Sequence, residues 1–398
     1  MKILLLNIWQ DFPFNRNLLN DEEHEIWHVC DPNGLRYVRN YVSEDEVSGI
    51  TLPTGEDPRE LLMALQSVYR EFPFERVVAL DERTVLPAAY IRDVFNIPGP
   101  RVAEVEPFRN KRTMKEILAK KGIRVIRDLD PSTFESGAFT PCVIKKIDGT
   151  ASGGVHLCPT LADYEKHRGD LAHGSLFEEF VEGDIFHVDG AFKATGIVSM
   201  PHAYISTCYH HYVLGQPVGS VGMEESPLKQ RLNQFAHEVI AALPLREGIF
   251  HMEIIRTADD ELIFLEVACR IGGGEVYRNF ADVYNFNLLE FSIQSQLGLD
   301  PPLRELRQDT IAGWLMINNV DHVPGIFTGV HCDPLALDNC MYSMWQPRIG
   351  RKYESREQGF VKFSLRGKTS SEVSTSILEL MDKIKLNSVP LPDAEKLT

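Results

Sequence analysis

Residues 262–274 are "LIFLEVACRIGGG", an apolar run that carries a glutamate and ends in an arginine and three glycines. The run before it, "GIFHMEIIR", is also typical of a strand, and Asp259 and Asp260 lie between the two runs. Aspartate tolerates turn geometry. The sequence therefore predicts a β-hairpin with Asp259-Asp260 as its two-residue turn.

This hairpin would place two carboxylates opposite each other. Around the two-residue turn, Glu253 pairs directly with Glu266, and both side chains leave the same face of the sheet. Like charges on directly opposed residues repel each other. Either one carboxyl group takes up a proton or a cation bridges the two. Two glutamates on a solvated face are the alternative, and a shift of one residue in the register would separate the pair.

Length and composition restrict the class of protein. The chain has 398 residues, enough for two or three domains, and 43% of them are hydrophobic. Its apolar runs are shorter than the roughly 20 residues that a membrane span needs, and "MKILLLNIWQD" is typical of a first strand, not of a signal peptide. The formal net charge of −16 disfavours a nucleic-acid partner. Seven cysteines without metal-type or redox-type spacing indicate reduced thiols, so we expect a cytoplasmic protein.

Strand and helix patterns alternate in the first hundred residues, as "KILLLNIW", "PRELLMALQSVYREF", "ERVVAL" and "VLPAAYIRDVF". This order predicts a parallel sheet with crossover helices, which ends at "NIPGPR" near residue 100. Strand patterns dominate the second block of the chain. A third segment ends in a predicted helix, "SEVSTSILELMDKI".

A lysine-bearing strand and a glycine-rich loop occur in "PCVIKKIDGTASGGVHLC". Glycines let backbone N–H groups approach an anion, and a lysine such as Lys145 at the base of the loop can hold phosphate oxygens. An ordinary hairpin has the same pattern. The lysine also precedes the loop, unlike the lysine of the Walker motif.

Acidic residues follow the next strand, in "LFEEFVEGDIFHVDGAF". Backbone groups near Val181 could hydrogen-bond an adenine, and a neighbouring carboxylate could accept hydrogen bonds from ribose hydroxyls. A solvated acidic turn is the alternative.

Further along, the histidines and tyrosines of "PHAYISTCYHHY" could line an acceptor pocket, although exposed or structural histidines are the commoner interpretation.

Taken together, and in their order along the chain, these motifs resemble those of the ATP-grasp superfamily. The series consists of Lys111 in "NKRTMKEILAKKG", the strand lysine Lys145, the glycine loop at 150–154, the "EEFVEG" segment, and Glu253 followed by "LEVACRIGGG". The stretch "ERVVALDERTVLPAAYIRDVFNIPGP" is similar to the domain that precedes the ATP-binding part in carboxylate–amine ligases of that superfamily. The resemblance implies an α/β protein of the α+β ATP-grasp type.

Four parts of the chain follow from the resemblance. A Rossmann-like domain with a parallel sheet would span residues 1–105. The small, or lid, subdomain of the ATP-grasp module would span 106–185, and the large subdomain with the metal site 186–300. An α/β segment at 301–398 would complete the module.

The resemblance also implies a site for ATP and Mg²⁺, or Mn²⁺ in its place. Glu253 and Glu266 would be the metal ligands. The residues implied to bind the nucleotide are Lys111, Lys145, Thr150, Ser152, Gly153, Gly154, Glu178, Glu179, Phe180, Val181, Asp184 and His187. Two departures from the common pattern are Ala268, where many members have an asparagine ligand, and Ile185, where Asp184 would replace the usual ribose carboxylate.

A substrate site is implied next to the metal ligands. Arg270 and Lys145 would be catalytic, because both are cations placed to stabilise charge on a transferring phosphoryl group. The residues implied to contact the substrate are Arg270, Gly272, Gly273, Asp189 and His210.

The implied activity is that of an ATP-dependent ligase acting on small molecules. It would activate a carboxylate, that of an amino acid, as an acyl phosphate and couple it to an amine, releasing ADP and phosphate. Loading of an amino acid onto the thiol of an acyl carrier protein is a close alternative. A nucleotide-binding module without turnover is an alternative of another class. A homodimer is a possible oligomeric state.

Overall fold

The computed structural model describes residues 1–6, 24–30, 35, 48–51, 58–136, 139–150, 152–205, 215–332, 339–345, 349–353 and 361–391. Its strands are β1 (Lys2–Leu6), β2 (Glu25–Val29), β3 (Gly49–Thr51), β4 (Arg76–Ala79), β5 (Cys142–Lys146), β6 (His156–Cys158), β7 (Ser175–Glu179), β8 (Asp184–Lys193), β9 (Gly196–Ile205), β10 (Val218–Gly222), β11 (Gly248–Arg256), β12 (Leu262–Ala268), β13 (Ile311–Ile317), β14 (Gly325–Cys332), β15 (Cys340–Trp345), β16 (Lys352–Tyr353), β17 (Val361–Gly367) and β18 (Ile384–Pro390).

Its α-helices are α1 (Pro58–Glu71), α2 (Val85–Phe95), α3 (Val102–Val105), α4 (Lys111–Lys120), α5 (Leu161–His167), α6 (Pro227–Ala242), α7 (Val276–Arg278), α8 (Leu288–Gln296) and α9 (Ser370–Lys383). Short 3₁₀ segments lie at Glu106–Phe108, Pro131–Ser136 and Arg168–His173, and a π-helical turn lies at Asn279–Val283. None of the helices in the described ranges has the length and hydropathy to cross a membrane.

The first four strands form a parallel sheet in the order β3-β2-β1-β4, which confirms the predicted parallel sheet. Helices α1 and α2 pack on the face that carries Leu4 and Leu6. Helix α8, from much later in the chain, packs on the face that carries Ile3 and Leu5. Because both faces are covered, the central strand β1 is an almost unbroken apolar run.

The largest sheet has eight strands in the order β12-β11-β8-β9-β10-β13-β17-β15, all antiparallel to their neighbours. The amphipathic helix α6 covers part of one face, where Leu232 and Val239 join a core with Phe250 and Met252 of β11. This one sheet joins strands on both sides of residue 300. Three further strands pair in the order β16-β14-β18.

A small three-stranded sheet, β6-β5-β7, carries the glycine-rich loop between β5 and β6. Its own core contains Cys142, Ile144, Cys158, Tyr164 and Phe177. We call this sheet, with α5 and the 3₁₀ segment after it, the lid sheet. It lies next to the start of α4, since the N–H of Lys111 donates to the carbonyl of Ile147.

The predicted two-residue turn at Asp259-Asp260 is wrong. The backbone N–H of Thr257 donates to the carbonyl of Glu261 at 3.0 Å, so three residues form the loop between β11 and β12. Asp260 has φ of 65°, a left-handed conformation that aspartate tolerates better than most residues. A three-residue loop that ends in a left-handed residue is a common hairpin connection.

A β-bulge restores the predicted pairing at the two glutamates. Beside the turn Arg256 pairs with Leu262, one residue away from the register of a two-residue turn. The register shifts immediately after Glu253, and Glu253 lies opposite Glu266. The predicted pairing of the carboxylates is therefore confirmed, although the local geometry that produces it was not foreseen.

Candidate nucleotide and metal site

A cleft of about 340 Å³ is bounded by the lid sheet, the start of α4 and the β11–β12 hairpin. Both predicted metal ligands, Glu253 and Glu266, line it. The predicted nucleotide-binding residues that also line it are Lys111, Lys145, Ser152, Gly153, Glu178, Glu179, Phe180 and Val181. Apolar side chains of Ile126, Ile185 and Leu265 complete the wall, as a flat adenine ring would require.

Four residues predicted to bind the nucleotide, all of them described, lie outside the lining of this cleft. Thr150 and Gly154 belong to the glycine-rich loop but do not border the cleft. Asp184 is also outside it, whereas Glu182 lines it. The side chain of His187 is fully buried within the large sheet and does not line the cleft.

Lys111 connects the glycine-rich loop to a predicted metal ligand. It is the first residue of α4, which is capped by the Asn110 side chain. Its Nζ donates to the carbonyl oxygen of Gly149 at 2.7 Å and lies 3.4 Å from Oε2 of Glu266. The start of α4 thus holds the ammonium group of Lys111 between the glycine-rich loop and the pair of Glu253 and Glu266.

Lys145 is held by a buried carboxylate. Its Nζ lies 2.9 Å from Oε2 of Glu178, a side chain that is 1% exposed. Lys115 donates to the other oxygen of Glu178 at 2.7 Å. A buried carboxylate needs such partners to stay charged. Sequence reasoning missed Lys115, although its position four residues after Lys111 places both lysines on one face of α4.

The Glu179 side chain is engaged by two arginines. Arg127 donates to Oε2 at 2.8 Å through Nε, and Arg124 donates to Oε1 at 3.0 Å. Burial raises the pKa of Glu179, but the hydrogen bonds from Arg127 and Arg124 lower it below the ordinary glutamate value. Glu179 borders the cleft, yet its carboxylate is already neutralised by protein groups.

The pKa values of Glu253 and Glu266 are shifted in opposite directions although the two side chains face each other. Burial and the neighbouring Glu266 raise the pKa of Glu253, whose Oε1 accepts a hydrogen bond of 2.8 Å from the Tyr204 hydroxyl. Burial also disfavours ionisation of Glu266, but the cations Lys111, Lys145 and Arg270 lower its pKa to about 2.

Such a pair fits a divalent cation. Two opposed carboxylates, one of them reluctant to ionise because of the other, gain stability when a dication replaces the proton. Their oxygen donors suit Mg²⁺ or Mn²⁺ and not a softer metal. The residues present therefore match the predicted metal site, with Glu253 and Glu266 as the groups that would hold the ion.

Arg270 is tied to the amino-terminal sheet. Its Nε donates to Oε2 of Glu82 at 2.6 Å, and its Nη1 donates to the carbonyl of Ile271 at 2.7 Å. Glu82, 7% exposed, also pairs with Arg109. Burial raises the pKa of Glu82, but Arg270 and Arg109 lower it below its ordinary value. Sequence reasoning missed Glu82; the signal available was its place just after the carboxyl end of β4.

Asp189, which is predicted to contact the substrate, does not line the cleft. It is fully buried. One of its oxygens is 2.5 Å from Nδ1 of His187 and the other is 2.8 Å from Nδ1 of His251. Burial raises the pKa of Asp189, but the two histidines hold it well below the usual range. His187 also bonds the Ser220 hydroxyl at 2.6 Å.

The glycines after Arg270 allow close approach to this buried group. A Cβ on Gly272 would lie 2.5 Å from Oδ1 of Asp189. Gly274 has φ of 69° and packs on the ring of Trp314, where a Cβ would lie 2.8 Å from the nearest ring atom. Gly273, between them, is exposed. His210, the remaining residue predicted to contact the substrate, lies outside the described residues.

Comparison with known families bears on the fold. Residues 108–274 match the family model of the ATP-grasp domain, and the chain has the ATP-grasp fold. The resemblance indicated by the motifs is therefore confirmed.

Two kinds of comparison relate the chain to particular proteins. It is 26% identical over 251 residues to an L-arginine-specific L-amino acid ligase from Bacillus subtilis, and the match covers 58% of this chain and 60% of that protein. An L-amino acid ligase structure from Bacillus licheniformis superposes with a TM-score of 0.77 at 18% identity, covering 98% of this chain and 99% of that one. A carboxyaminoimidazole ribonucleotide synthase from Aspergillus clavatus, complexed with ATP, has a TM-score of 0.68 at 16% identity and covers 96% and 97% of the two chains.

Proposed function

We propose that the protein is an ATP-dependent ligase that activates the carboxylate of an amino acid as an acyl phosphate and couples it to an amine. The observation that carries the proposal is the opposed pair of Glu253 and Glu266, with Lys111 3.4 Å from Glu266, at one end of a cleft with an apolar wall. The similarity to amino acid ligases supports an amino acid as the activated substrate.

Different charged residues bind the phosphates of ATP and its metal ion. Lys111 and Lys145 hold phosphate oxygens, and Glu253 and Glu266 hold Mg²⁺. The bound ion would neutralise part of the triphosphate charge. Arg270, oriented by its bond to Glu82, presents its guanidinium to the carboxylate and the phosphoryl group in transfer.

The chemistry needs position and charge, and no protein nucleophile. A carboxylate oxygen of the amino acid forms a bond to the γ-phosphorus while the bond to ADP breaks. The amine lone pair then forms the C–N bond, and phosphate leaves with the electrons of the C–O bond and takes up the proton of the amine. The loop between β5 and β6 borders the cleft through Ser152 and Gly153 and shields the acyl phosphate from water.

A free amine is favoured over a carrier-protein thiol as acceptor, because the named relatives are amino acid ligases. The proposal includes the predicted domain boundaries and a cytoplasmic location. The residues proposed for catalysis are Arg270 and Lys145.

The experiment that tests the function is a substrate matrix. Purified protein is incubated with ATP, Mg²⁺ and each proteinogenic amino acid, singly and in pairs, and ADP release is measured. We expect release to depend on a specific pair, with a product whose mass is that of the pair minus one water. A parallel arm offers a phosphopantetheine-bearing acceptor. ADP release that no amino acid stimulates would contradict the proposal.

A further inference from the structure

A cluster of metal-type donors lies on the lid sheet, apart from the nucleotide cleft. His156, His167 and Asp170 each offer one donor atom, and these three atoms lie within 4.8 Å of one another. Nε2 of His156 is 3.2 Å from Oδ2 of Asp170. The two imidazole rings stack, with centroids 3.9 Å apart and planes 13° from parallel. None of these residues lines the cleft described above.

Three different elements contribute the donors. His156 is the first residue of β6, and His167 is the last residue of α5. Asp170 follows three residues later, in the 3₁₀ segment Arg168–His173. A spacing of three residues in a helical segment brings His167 and Asp170 to the same side. A metal ion bound by all three residues would therefore join β6 to the helical segment.

We propose that His156, His167 and Asp170 bind one transition-metal dication of the zinc type. Two imidazoles and one carboxylate are a donor set typical of Zn²⁺, with water in the remaining position. Imidazole nitrogens also suit Co²⁺ and Ni²⁺, whereas Mg²⁺ prefers oxygen donors only. This site and the carboxylate pair in the cleft would thus select different ions.

The distances between the three donor atoms allow them to converge on one ion. Zinc bonds of about 2.0–2.1 Å in a tetrahedron place neighbouring donors about 3.4 Å apart, so the donors would move by about 1 Å and the stacked rings would splay. The side chains of His156 and Asp170 are 29% and 55% exposed, which leaves room for this rotation.

Metal binding would act on the loop that borders the cleft. His156 lies between Val155 and Leu157, which both line the cleft, and alternation along the strand directs His156 to the other face. A metal that fixes His156 to Asp170 would hold this end of the loop in place. This consequence rests on the proposed function, whereas the binding of the metal does not.

The test is a Zn²⁺ titration of the full chain in competition with a chromophoric chelator. Excess Mg²⁺ is present throughout to occupy oxygen-donor sites. We expect one equivalent of Zn²⁺ to bind, with affinity at least tenfold weaker in both His156→Gln and His167→Gln. His237→Gln, on α6, is the matched control and should bind as the wild type does. Absence of a binding equivalent in the wild type, or wild-type affinity in either variant, would overturn the site.

A second readout does not depend on affinity. Co²⁺ added in place of Zn²⁺ should give the visible absorption of a low-coordinate site in the wild type, and Asp170→Asn should change that spectrum. Identical spectra in the wild type and all three variants would overturn the assignment. Circular dichroism confirms that each variant is folded. Amino-acid-dependent ADP release is measured on the same samples, so that failure of the ligase proposal and failure of the metal site give separate results.

Discussion

Glu253 and Glu266 face each other across β11 and β12, in a register that a β-bulge sets immediately beside Glu253. Their surroundings make the pair asymmetric. Glu253 has a raised pKa and accepts a hydrogen bond from Tyr204, whereas Glu266 has a pKa of about 2 beside Lys111. A bound dication would favour the ionised form of both carboxylates.

Replacement of Arg270 by lysine should impair turnover severely. The Arg270 guanidinium bonds Glu82 and the carbonyl of Ile271 at once, and an ammonium group cannot reproduce a planar fork. We expect kcat for amino-acid-dependent ADP release to fall by about 10²-fold or more. Arg256→Lys, on the exposed end of β11, is the matched control. Unchanged steady-state kinetics in Arg270→Lys would refute the role of the guanidinium.

The bond between Glu82 and Arg270 should make stability sensitive to acid. The folded-state pKa of Glu82 lies below the unfolded value, so its contribution is fully present above the unfolded pKa of about 4.3 and is lost as the pH falls through the folded value. Urea unfolding of wild type and Glu82→Gln from about pH 6 to pH 3 measures this contribution. The wild-type free energy of unfolding should fall more steeply with acid. Parallel curves would show that Glu82 contributes nothing to the pH dependence.

Loss of Lys115 should weaken both the fold and the nucleotide site. Lys115→Met leaves the buried Glu178 with Lys145 as its remaining lysine partner. We expect the free energy of unfolding to drop by about 1.5–3 kcal/mol, the usual contribution of a hydrogen bond to a charged group. The KM for ATP should also rise, because Lys145 is then held less firmly. Lys120→Met, exposed on the same helix, should change neither quantity; equal behaviour of the two variants would contradict this assignment.

A side chain at position 272 should disturb the buried carboxylate. In Gly272→Ala the new Cβ would lie 2.5 Å from Asp189 and 2.7 Å from Nδ1 of His251. We expect a destabilisation of about 1–3 kcal/mol, as for other overpacked sites. Thermal unfolding of Gly169→Ala is the comparison, since a Cβ there meets no atom within 4 Å. Equal melting temperatures would mean that the segment after Arg270 adapts freely.

Local patterns predicted much of this architecture. The apolar periodicity of "VLPAAYIRDVF" corresponds to the helix Val85–Phe95, and Lys111 starts a helix as its motif indicates. The pairing of Glu253 with Glu266 was predicted from a two-residue turn, and it holds because the β-bulge offsets the three-residue loop. The bulge was not predictable, since the sequence of the hairpin alone does not show where an extra residue is accommodated.

Contacts between distant segments could not be predicted from such patterns. The bond between Glu82 and Arg270 joins residues 188 positions apart, and the pair Lys115–Glu178 joins residues 63 positions apart. Periodicity assigns each side chain to a face, but tertiary packing decides which partner meets it. For the same reason the position of His187 on a strand is predictable, whereas the burial of both faces of β8 is not.

The most direct measurement is the Mg²⁺ dependence of ADP binding in wild type and Glu266→Gln, followed by calorimetry, with the exposed Glu238→Gln as control. The amide has the shape of the carboxylate without its charge. We predict that Mg²⁺ tightens ADP binding in the wild type and in the control, and that this effect is lost in Glu266→Gln while its circular dichroism spectrum is unchanged. Wild-type Mg²⁺ dependence in Glu266→Gln would contradict the assignment of Glu253 and Glu266 as the metal site.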